Sequence, residues 1–503
     1  MVGTFTYDAT NNAVIAVGDT AQTPVGFVDL WNADKAGTLS LHARSGIAGV
    51  DGANMALTRN ARPTDRVVLG GAKQDLFIVV SAWTNMTSAT VQLIGTDSAG
   101  NAQTEDLALT GNVTIYAAKY FATLTHSKVT AWVGTGSFAY EVTQSQLGVV
   151  WKQSSTQFVF DCKIVVGDGS TATYFTDTNK QVKFNIAGLG TPAILVKNSA
   201  TFTCGVLIDS TLKTTKYGVS FIIHMDYYGN GFIQGETTSS SIYLYGCFAI
   251  GEGDGTYFEP EAIVFRGKTV KIYDGTFSYV RNLGRSLPST ADLNRNTVSY
   301  AEKIGEGSLG TTLDTKIANS VDIWVFSYGT SVTVKNLISY NSTNGFAPYQ
   351  TTVDHYLINV VPDVWKFLWN TSPNSKVFRQ YEFDLAVTDA AGNPVQDATV
   401  SLKDKNGAQI FSATTDVNGR IATQTVTRGY YQQSTGDTLQ DSSPHTLKIE
   451  KAGYQNYAKK FTLQEKTKWE IKLAKAQAIL LDGGKPVVNL RASDPENKHV
   501  LQF

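Results

Sequence analysis

Residues 242–250 read Ile242-Tyr243-Leu244-Tyr245-Gly246-Cys247-Phe248-Ala249-Ile250. Apolar and other side chains alternate, the chain reaches a small residue, and the alternation resumes. Alternation with a period of two buries one face of a β-strand, and a glycine lets the chain bend sharply before the next strand. The pattern returns at Val270 and Val332 and, more loosely, at Ala200. A strand, a bend and another strand, repeated without hairpin loops, predict a parallel β-helix.

The predicted β-helix has uneven coils. The pattern starts at residues 200, 242, 270 and 332, so the coils need insertions of different lengths. We place a right-handed parallel β-helix at residues 148–380, with the aromatic segment 364–369 covering its last coil, because solenoids need such caps. An antiparallel meander uses the same alternation and is the alternative. The side chains expected to point inward are Ile242, Leu244, Val270, Ile272, Val332 and Val334.

Composition favours an all-β protein with several domains. The chain has 503 residues, 42% of them hydrophobic, which is enough for about three domains. A net charge of −1 gives the whole chain no electrostatic attraction to nucleic acid. No apolar run is long enough to span a bilayer, and the first residues lack a secretory signal, so we expect synthesis in the cytoplasm. The cysteines, expected to be buried and reduced, are Cys162, Cys204 and Cys247.

Hairpin signals predict a β-sandwich at residues 46–147, preceded by a segment, residues 1–45, that packs on the β-helix. In the stretch Ile94–Asn101, Asp97 can cap a tight turn, and Gly100 can take the positive φ that the turn needs. This stretch, followed by Thr104-Glu105 and Lys119-Tyr120-Phe121, resembles small β-sandwich modules of tailed-phage virion proteins. The resemblance covers about 80 residues and implies a place on a phage particle.

Hairpins also fill residues 381–474, with turns at Asp389–Asn393, Asp404–Gly407 and Asp416–Gly419. This part resembles the transthyretin-like, carboxypeptidase-regulatory-like β-sandwich, although residues 428–443 are an insertion. In that family the module is structural or adhesive, so the resemblance implies no catalytic residues. The matching positions are Gly392, Asn393, Pro394, Val395, Ala398, Val400, Thr415, Asp416, Gly419, Gly453 and Tyr454.

Residues 475–503 read as a C-terminal arm. The arm has two apolar strand-sized pieces but too few residues to enclose a core. We expect it to add strands to a neighbouring subunit. This predicts a homo-oligomer, with a trimer favoured.

Candidate catalytic residues are scarce. Glycoside cleavage needs two carboxyl groups across the scissile bond, and the densest acidic cluster contains Glu252 and Asp254, with Glu259 and Glu261 nearby. These acids equally fit a solvated loop between coils. We therefore predict no catalytic residue and no enzyme, with Glu252 and Asp254 as the pair if the β-helix does cleave a polysaccharide. No cofactor motif or zinc-ligand spacing occurs, and calcium bound by this loop with Asp168 is a weaker hypothesis.

Tyrosine and tryptophan recur on the predicted strands, where several should face outward. An aromatic face of this kind can bind sugar rings or a neighbouring subunit. High β-propensity on an exposed sheet accounts for it equally well. The residues are Tyr227, Tyr228, Tyr243, Tyr245, Tyr257, Tyr273, Tyr279, Trp324 and Tyr328.

The sequence favours a non-enzymatic structural protein of a phage particle: a head fibre, a capsid decoration or a tail-associated subunit. We expect such a protein to be made in the host cytoplasm and to form a homo-oligomer that contacts other virion proteins. A host-surface glycan is a further possible partner. We expect binding to neither nucleic acid nor membrane. The alternative is a tailspike-like protein that binds or depolymerises polysaccharide along the β-helix. Paired carboxylates in a groove would favour that alternative.

Overall fold

A computed structural model gives the architecture of two units. The first comprises residues 1–377 and 432–438, and the second comprises residues 378–431 and 439–503. The described residues are 4–8, 10–18, 24–59, 76–119, 121–144, 147, 149–152, 156–185, 192–224, 231–236, 239–251, 262–288, 291–301, 303–306, 311–313, 315–318, 324–327, 331–343, 345–349, 352–370, 374–476, 480–482 and 485–487.

The elements before residue 153 are β1 (Thr4–Asp8), β2 (Ala13–Val17), α1 (Phe27–Ala36), β3 (Leu39–Ile47), β4 (Met55–Ala56), β5 (Leu76–Thr96), β6 (Ala102–Leu109), β7 (Thr114–Tyr116), β8 (Thr123–Gln144) and β9 (Val150–Lys152).

The next elements are β10 (Gln157–Phe160), β11 (Lys163–Val166), β12 (Thr173–Asp177), β13 (Gln181–Asn185), β14 (Ile194–Val196), β15 (Ala200–Cys204), β16 (Val206–Asp209), β17 (Thr214–Lys216), β18 (Ser220–His224), β19 (Ile233–Gly235), β20 (Ser241–Tyr245), β21 (Phe248–Gly251), β22 (Val264–Phe265), β23 (Thr269–Tyr273), β24 (Thr276–Ser278), β25 (Asn282–Arg285), β26 (Asp292–Asn294), β27 (Thr297–Ser299), β28 (Lys303–Glu306), β29 (Thr311–Leu313), β30 (Lys316–Ala318), β31 (Trp324–Ser327), β32 (Thr333–Lys335), β33 (Ile338–Tyr340), β34 (Phe346–Tyr349) and β35 (His355–Ile358).

The last elements are β36 (Lys376–Asp389), β37 (Thr399–Lys403), β38 (Gln409–Thr414), β39 (Gln424–Gln432), a 3₁₀ helix (Gln433–Thr435), β40 (Gly436–Asp441), β41 (His445–Glu450), β42 (Tyr457–Phe461), β43 (Thr467–Leu473), β44 (Leu480–Asp482) and β45 (Lys485–Val487).

Residues 157–358 form a parallel β-helix with three sheets. The first sheet has the order β1-β2-β11-β14-β19-β22-β25-β28-β31-β34, the second β9-β10-β13-β18-β21-β24-β27-β30-β33, and the third β12-β15-β20-β23-β26-β29-β32-β35. Within these three sheets, from β10 to β35, each strand pairs in parallel with the strand one coil away. The strands β16 and β17 belong to none of the three sheets and pair antiparallel with each other. The prediction of an all-β chain with a parallel β-helix is confirmed, and the meander is excluded.

The β-helix interior is a stack of side chains in register. Leu244, Ile272 and Leu293 lie opposite one another on consecutive coils of the third sheet and are at most 1% exposed. All six side chains predicted to point inward are fully buried. Each buried aliphatic side chain contributes about 1.5–3 kcal/mol. The sequence alternation therefore identified correctly which side chains of these strands face the interior.

The corner between the third and second sheets is built by residues with positive φ. Gly205, Gly246, Asp274 and Asn336 occupy it on different coils, with φ of 86°, 61°, 55° and 56°. A Cβ atom on Gly205 would lie 1.8 Å from the carbonyl oxygen of Tyr245 on the next coil. Glycine, aspartate and asparagine tolerate this conformation best, which explains the residues found at the bends.

Both ends of the β-helix are covered by aromatic side chains. The Phe27 ring at the start of α1 lies 5.0 Å from the Phe175 ring and 5.8 Å from the Phe160 ring, between centroids. At the other end, Phe367 stacks on Phe346 at 5.5 Å. The predicted cap at residues 364–369 is confirmed.

The strands β3 to β8 form one folded sheet rather than several short hairpins. Strands β5 and β8 have 21 and 22 residues, and bulges between Ser81 and Ser88 interrupt their pairing. Val80 and Val91, on either side of the bulges, belong to one buried core. Strand β3 of this sheet begins at Leu39, ahead of the expected boundary at residue 46. The turn carboxylate of Asp97 accepts hydrogen bonds from the backbone N–H groups of Ala99 and Asn101, both at 2.9 Å.

The second unit has two sheets around its own core. One sheet has the order β38-β37-β41-β42, and in the other β36 pairs with β39 and β43. Asp389, Asp404 and Asp416 each accept backbone hydrogen bonds from residues two and four positions later, at 2.8–2.9 Å. These are the three turns that the sequence predicted. In the part of the chain that the structure describes, no helix has the length and apolar character needed to cross a membrane.

Candidate functional site

The acidic cluster singled out from the sequence lies outside the described residues. Glu252, Asp254, Glu259 and Glu261 all fall there, so that site stays a prediction. The described residues contain no group of three or more His, Cys, Asp or Glu side chains arranged to hold a metal ion. Asp168 accepts hydrogen bonds from the backbone of Thr171 and Ser170, which lower its pKa to about 2. Its carboxylate is therefore occupied by its own turn.

Outward-facing tyrosines do form a cluster on the third sheet, but the chain covers it. Tyr243 and Tyr245 point outward from β20, and Tyr273 points outward from the next coil. The Tyr245 and Tyr273 rings lie 5.4 Å apart and are only 6% and 2% exposed. Burial raises the pKa of Tyr245 to about 12. These two rings therefore offer little surface to a ligand.

The cover is the antiparallel hairpin β16–β17, which two polar clamps hold. Lys213 Nζ lies 2.7 Å from Oδ2 of Asp292, and Tyr273 donates to the same oxygen at 2.6 Å. In the second clamp, Asp274 accepts from Arg295 Nε at 2.6 Å and from the Thr215 hydroxyl at 2.6 Å. Burial opposes its ionisation, but these hydrogen bonds hold the pKa of Asp274 below its usual value. Lys213 pairs with Asp292, and Arg295 pairs with Asp274. Because each charged side chain of this cluster has a partner of opposite charge within the protein, we interpret the cluster as structural.

The hairpin also corrects the loosest of the four repeats. The sequence predicted that the chain bends after Cys204 and continues into the next β-helix strand at Val206. Instead, Val206–Asp209 pairs back with Thr214–Lys216, and Ser220–His224 supplies the strand of the second sheet. The carboxylate of Asp209 accepts from the backbone of Thr211 and Leu212 and closes the hairpin turn.

A concave site of a different kind lies at the N-terminal end of the first unit. The cleft, which we call the N-terminal cleft, has a volume of about 600 Å³ and lies among β1, the end of α1, β3 and β8. Ligand sites in proteins commonly have volumes of about 300–1,000 Å³. Its lining residues are Phe5, Thr6, Tyr7, Asp8, Thr10, Val14, Ala33, Asp34, Gly37, Thr38, Leu39, Ser40, Arg59, Glu141, Thr143 and Leu147.

Hydrogen bonds fix Tyr7, one of the two aromatic residues of the cleft, in place. Phe5 and Tyr7 are two residues apart on β1 and therefore share a face. The Tyr7 hydroxyl donates to Oδ1 of Asn12 at 2.9 Å, and Asn12 Nδ2 donates to the carbonyl oxygen of Asp161 at 2.7 Å. This chain of hydrogen bonds ties the Tyr7 ring to the start of the β-helix.

Two of the three carboxylates in the cleft are committed to the protein. Asp8 accepts from the side chain and backbone of Asn11, which lowers its pKa. Asp34 Oδ1 accepts from the backbone of Val149 and Val150 at 2.8 and 3.1 Å. Among the described residues, neither the Glu141 carboxylate nor the Arg59 guanidinium has a hydrogen-bond or ion-pair partner. One anionic and one cationic group are thus available to a ligand.

Sequence reasoning missed this cleft. The alternation of β8 places Glu141 on the face opposite the buried Tyr140 and Val142, so its outward direction was readable. Arg59 stands in an arginine-rich segment with Arg62 and Arg66. Nothing in the sequence brings these residues together with residues 5–8, because their proximity depends on how the folded sheet meets the β-helix.

Comparisons with known proteins give only weak similarities. No family model matches the chain, and no curated protein matches it. Among solved structures, the catalytic domain of a GH87 α-1,3-glucanase variant in complex with nigerose is 10% identical, covers 65% of this chain and 76% of its own, and has a TM-score of 0.23. Another variant of that domain, in complex with tetrasaccharides, is 10% identical to this chain, with a TM-score of 0.20. That match covers 68% of this chain and 97% of the glucanase domain.

A catechol 1,2-dioxygenase variant from Acinetobacter radioresistens is 16% identical, with a TM-score of 0.15. The match covers 22% of this chain and 56% of the dioxygenase.

The glucanase similarities contradict the prediction that the chain is not an enzyme, because the similar solved structures that cover about two thirds of it are catalytic domains. We withdraw that prediction. At 10% identity and these TM-scores, no catalytic residue is carried over from the glucanases to this chain.

Proposed function

We propose that the protein recognises polysaccharide and holds a short, neutral segment of it in the N-terminal cleft. The observation that carries the proposal is the pair of unengaged side chains, Glu141 and Arg59, in a hydroxyl-rich cleft of about 600 Å³. A sugar presents vicinal hydroxyl groups that donate to a carboxylate and accept from a guanidinium. The cleft supplies one group of each kind.

The rest of the lining fits the same ligand. The rings of Phe5 and Tyr7 offer an apolar surface for the C–H face of a sugar. The hydrogen bond from Tyr7 to Asn12 fixes that ring before binding, which reduces the entropy lost on association. The residues of the lining that carry hydroxyl groups, besides Tyr7, are Thr6, Thr10, Thr38, Ser40 and Thr143.

The charge of the cleft favours a neutral glycan. Asp8, Asp34 and Glu141 are acidic, and Arg59 is the one basic residue in the lining. A glycan that carries carboxylate or phosphate groups would meet this excess of negative charge and lose affinity.

We further propose that the protein works on a tailed-phage particle, as a homo-oligomer that contacts a host-surface glycan. The support is the sequence resemblance of residues 94–121 to phage sandwich modules and of residues 381–474 to an adhesive module. A glycan-binding protein on the surface of a virion is consistent with both resemblances.

Isothermal titration calorimetry on the full chain tests the cleft. The probes are neutral gluco-oligosaccharides, among them nigero-oligosaccharides, because the glucanases are described in complex with nigerose. We expect binding, and Glu141→Gln should weaken it roughly tenfold by removing a charged acceptor. Reducing ends are measured on the same mixtures, which reports hydrolysis separately from binding.

The matched control is Glu465→Gln, which makes the same change at an exposed position in the second unit. It should leave the affinity unchanged, and both variants should melt at the wild-type temperature. Equal affinity of Glu141→Gln and wild type, or no binding to any probe, contradicts the proposal.

A further inference from the structure

The outer face of the four-stranded sheet in the second unit carries lysines among small hydroxyl residues. Lys403 on β37, Thr446 on β41 and Lys460 on β42 lie side by side in one row across three strands. In the neighbouring row, Lys448 lies beside Ser401. Lys403, Lys448 and Lys460 are exposed. We call these residues the lysine face.

The positive charge of the lysine face is largely uncompensated. Lys448 lies 2.7 Å from Glu450 on the same strand, with the two side chains 50% and 43% exposed, so that pair is weak. Within the described part of the chain, Lys403 and Lys460 form no ion pair. Two ammonium groups are therefore free to meet an anion.

The spacing of these groups selects a repeating polymer. Neighbouring strands lie about 4.8 Å apart, so Lys403 and Lys460, two strands apart, are separated by roughly 10 Å. A linear chain with anionic groups at recurring distances of that order contacts both at once. Simultaneous contacts raise the affinity well above that of one weak pair.

The hydroxyl groups between the lysines favour a glycan over a nucleic acid. The rows present Ser401, Ser412 and Thr446, whose hydroxyl groups have the capacity to donate to and accept from sugar hydroxyls. The residues of these rows include no aromatic ring, whereas single-stranded nucleic acids are held largely by stacking of bases on aromatic side chains.

We propose that the lysine face binds an anionic, linear polysaccharide. This surface lies in the second unit and acts independently of the N-terminal cleft, which we assign to a neutral glycan. The anionic group is a carboxylate, sulfate or phosphate, since an ammonium group pairs with each of them.

Binding of polygalacturonate, dextran sulfate and neutral dextran to the full chain tests the proposal by biolayer interferometry. We expect the two anionic polymers to bind, with affinity that falls as salt is added, and neutral dextran not to bind this face. The double variant Lys403→Ser, Lys460→Ser should lose roughly tenfold in affinity. Carboxylate and sulfate specificity are separated by comparing the two anionic probes.

The matched control is Lys468→Ser, Lys472→Ser, which removes two exposed lysines from β43 in the other sheet. It has the same net charge as the first variant and should lose less than about twofold. Equal losses in the two variants would assign binding to net charge and overturn the proposal. Equal affinity for single-stranded DNA, lost in the same variant, would overturn the choice of a glycan.

If the wild type binds no anionic polymer, the proposal is also overturned. Lys460 would then serve only to prevent the edge strand β42 from pairing with another chain. The Glu141→Gln variant should bind the anionic probes as the wild type does. This comparison separates failure at the lysine face from failure at the cleft.

Discussion

Tyr273 donates its phenolic hydrogen to Oδ2 of Asp292 on the next coil, at 2.6 Å. The same oxygen lies 2.7 Å from Lys213 of the hairpin that covers the tyrosines. Burial, with this hydrogen bond, raises the pKa of Tyr273 well above its usual value. One carboxylate thus joins two coils of the β-helix to the insertion that lies over them.

Tyr273→Phe should destabilise the protein by about 1–2 kcal/mol, because the half-buried carboxylate of Asp292 loses a donor while the ring packing remains. Urea unfolding followed by circular dichroism measures this free energy. Tyr243→Phe is the control, since in the described residues the Tyr243 hydroxyl has no hydrogen-bond partner. A loss as large for Tyr243→Phe would refute the clamp.

The register of the β-helix is tested by Ile272→Asp. Ile272 is fully buried in the stack with Leu244 and Leu293. An unpaired carboxylate there should cost several kcal/mol and abolish or strongly lower the thermal transition. Thr297→Asp, at an exposed position of β27, should melt as the wild type does. Equal melting of the two variants would place Ile272 outside the core.

Stability should fall on acidification because of His355. Its side chain is fully buried, Nδ1 lies 3.3 Å from the backbone nitrogen of Val332, which donates to it, and burial lowers its pKa to about 4. Below pH 6.5 the imidazole of His355 is protonated in the unfolded chain but stays neutral in the folded chain. The contribution of His355 to the free energy of unfolding is therefore complete above pH 6.5 and decreases as the pH falls toward 4. The loss amounts to roughly 3 kcal/mol.

Urea unfolding of the wild type and of His355→Gln at a series of pH values measures this dependence. The variant should show a shallower decline between pH 6.5 and 4, because glutamine does not titrate. His445, whose pKa is also lowered by burial, is unchanged in both proteins and contributes equally. Parallel declines would exclude His355 as a cause.

The C-terminal arm remains a proposal for assembly. Its first two residues bond to the second unit, where Lys475 forms a bridge with Tyr454 and Ala476 donates to the Gly453 carbonyl oxygen. The rest of its described part is a short hairpin in which Leu480–Asp482 pairs with Lys485–Val487. Such a hairpin is marginal in water alone. Deleting residues 477–503 should leave a folded protein of lower oligomeric mass in analytical ultracentrifugation. A truncated chain that assembles like the full one would refute the arm.

Local chemistry was predictable, and proximity was not. Alternation gave the inward side chains of β20 and β23, and Asp-x-x-Gly patterns gave the turns at Asp97, Asp389 and Asp416, because neighbours in sequence determine both. The hairpin after Cys204 was missed because Val206–Asp209 has the same alternation whether it pairs forward or back. The N-terminal cleft was missed because it joins residues from 5 to 147.

Hydrogen–deuterium exchange of the full chain, with and without a saturating neutral gluco-oligosaccharide, tests the central claim most directly. We predict slower exchange in β1, at the start of β3 and around Glu141 of β8, because these segments line the N-terminal cleft. Exchange on the outer face of β20 and β23 should stay unchanged. Protection confined to those β-helix strands, or absent everywhere, would contradict glycan binding in the cleft.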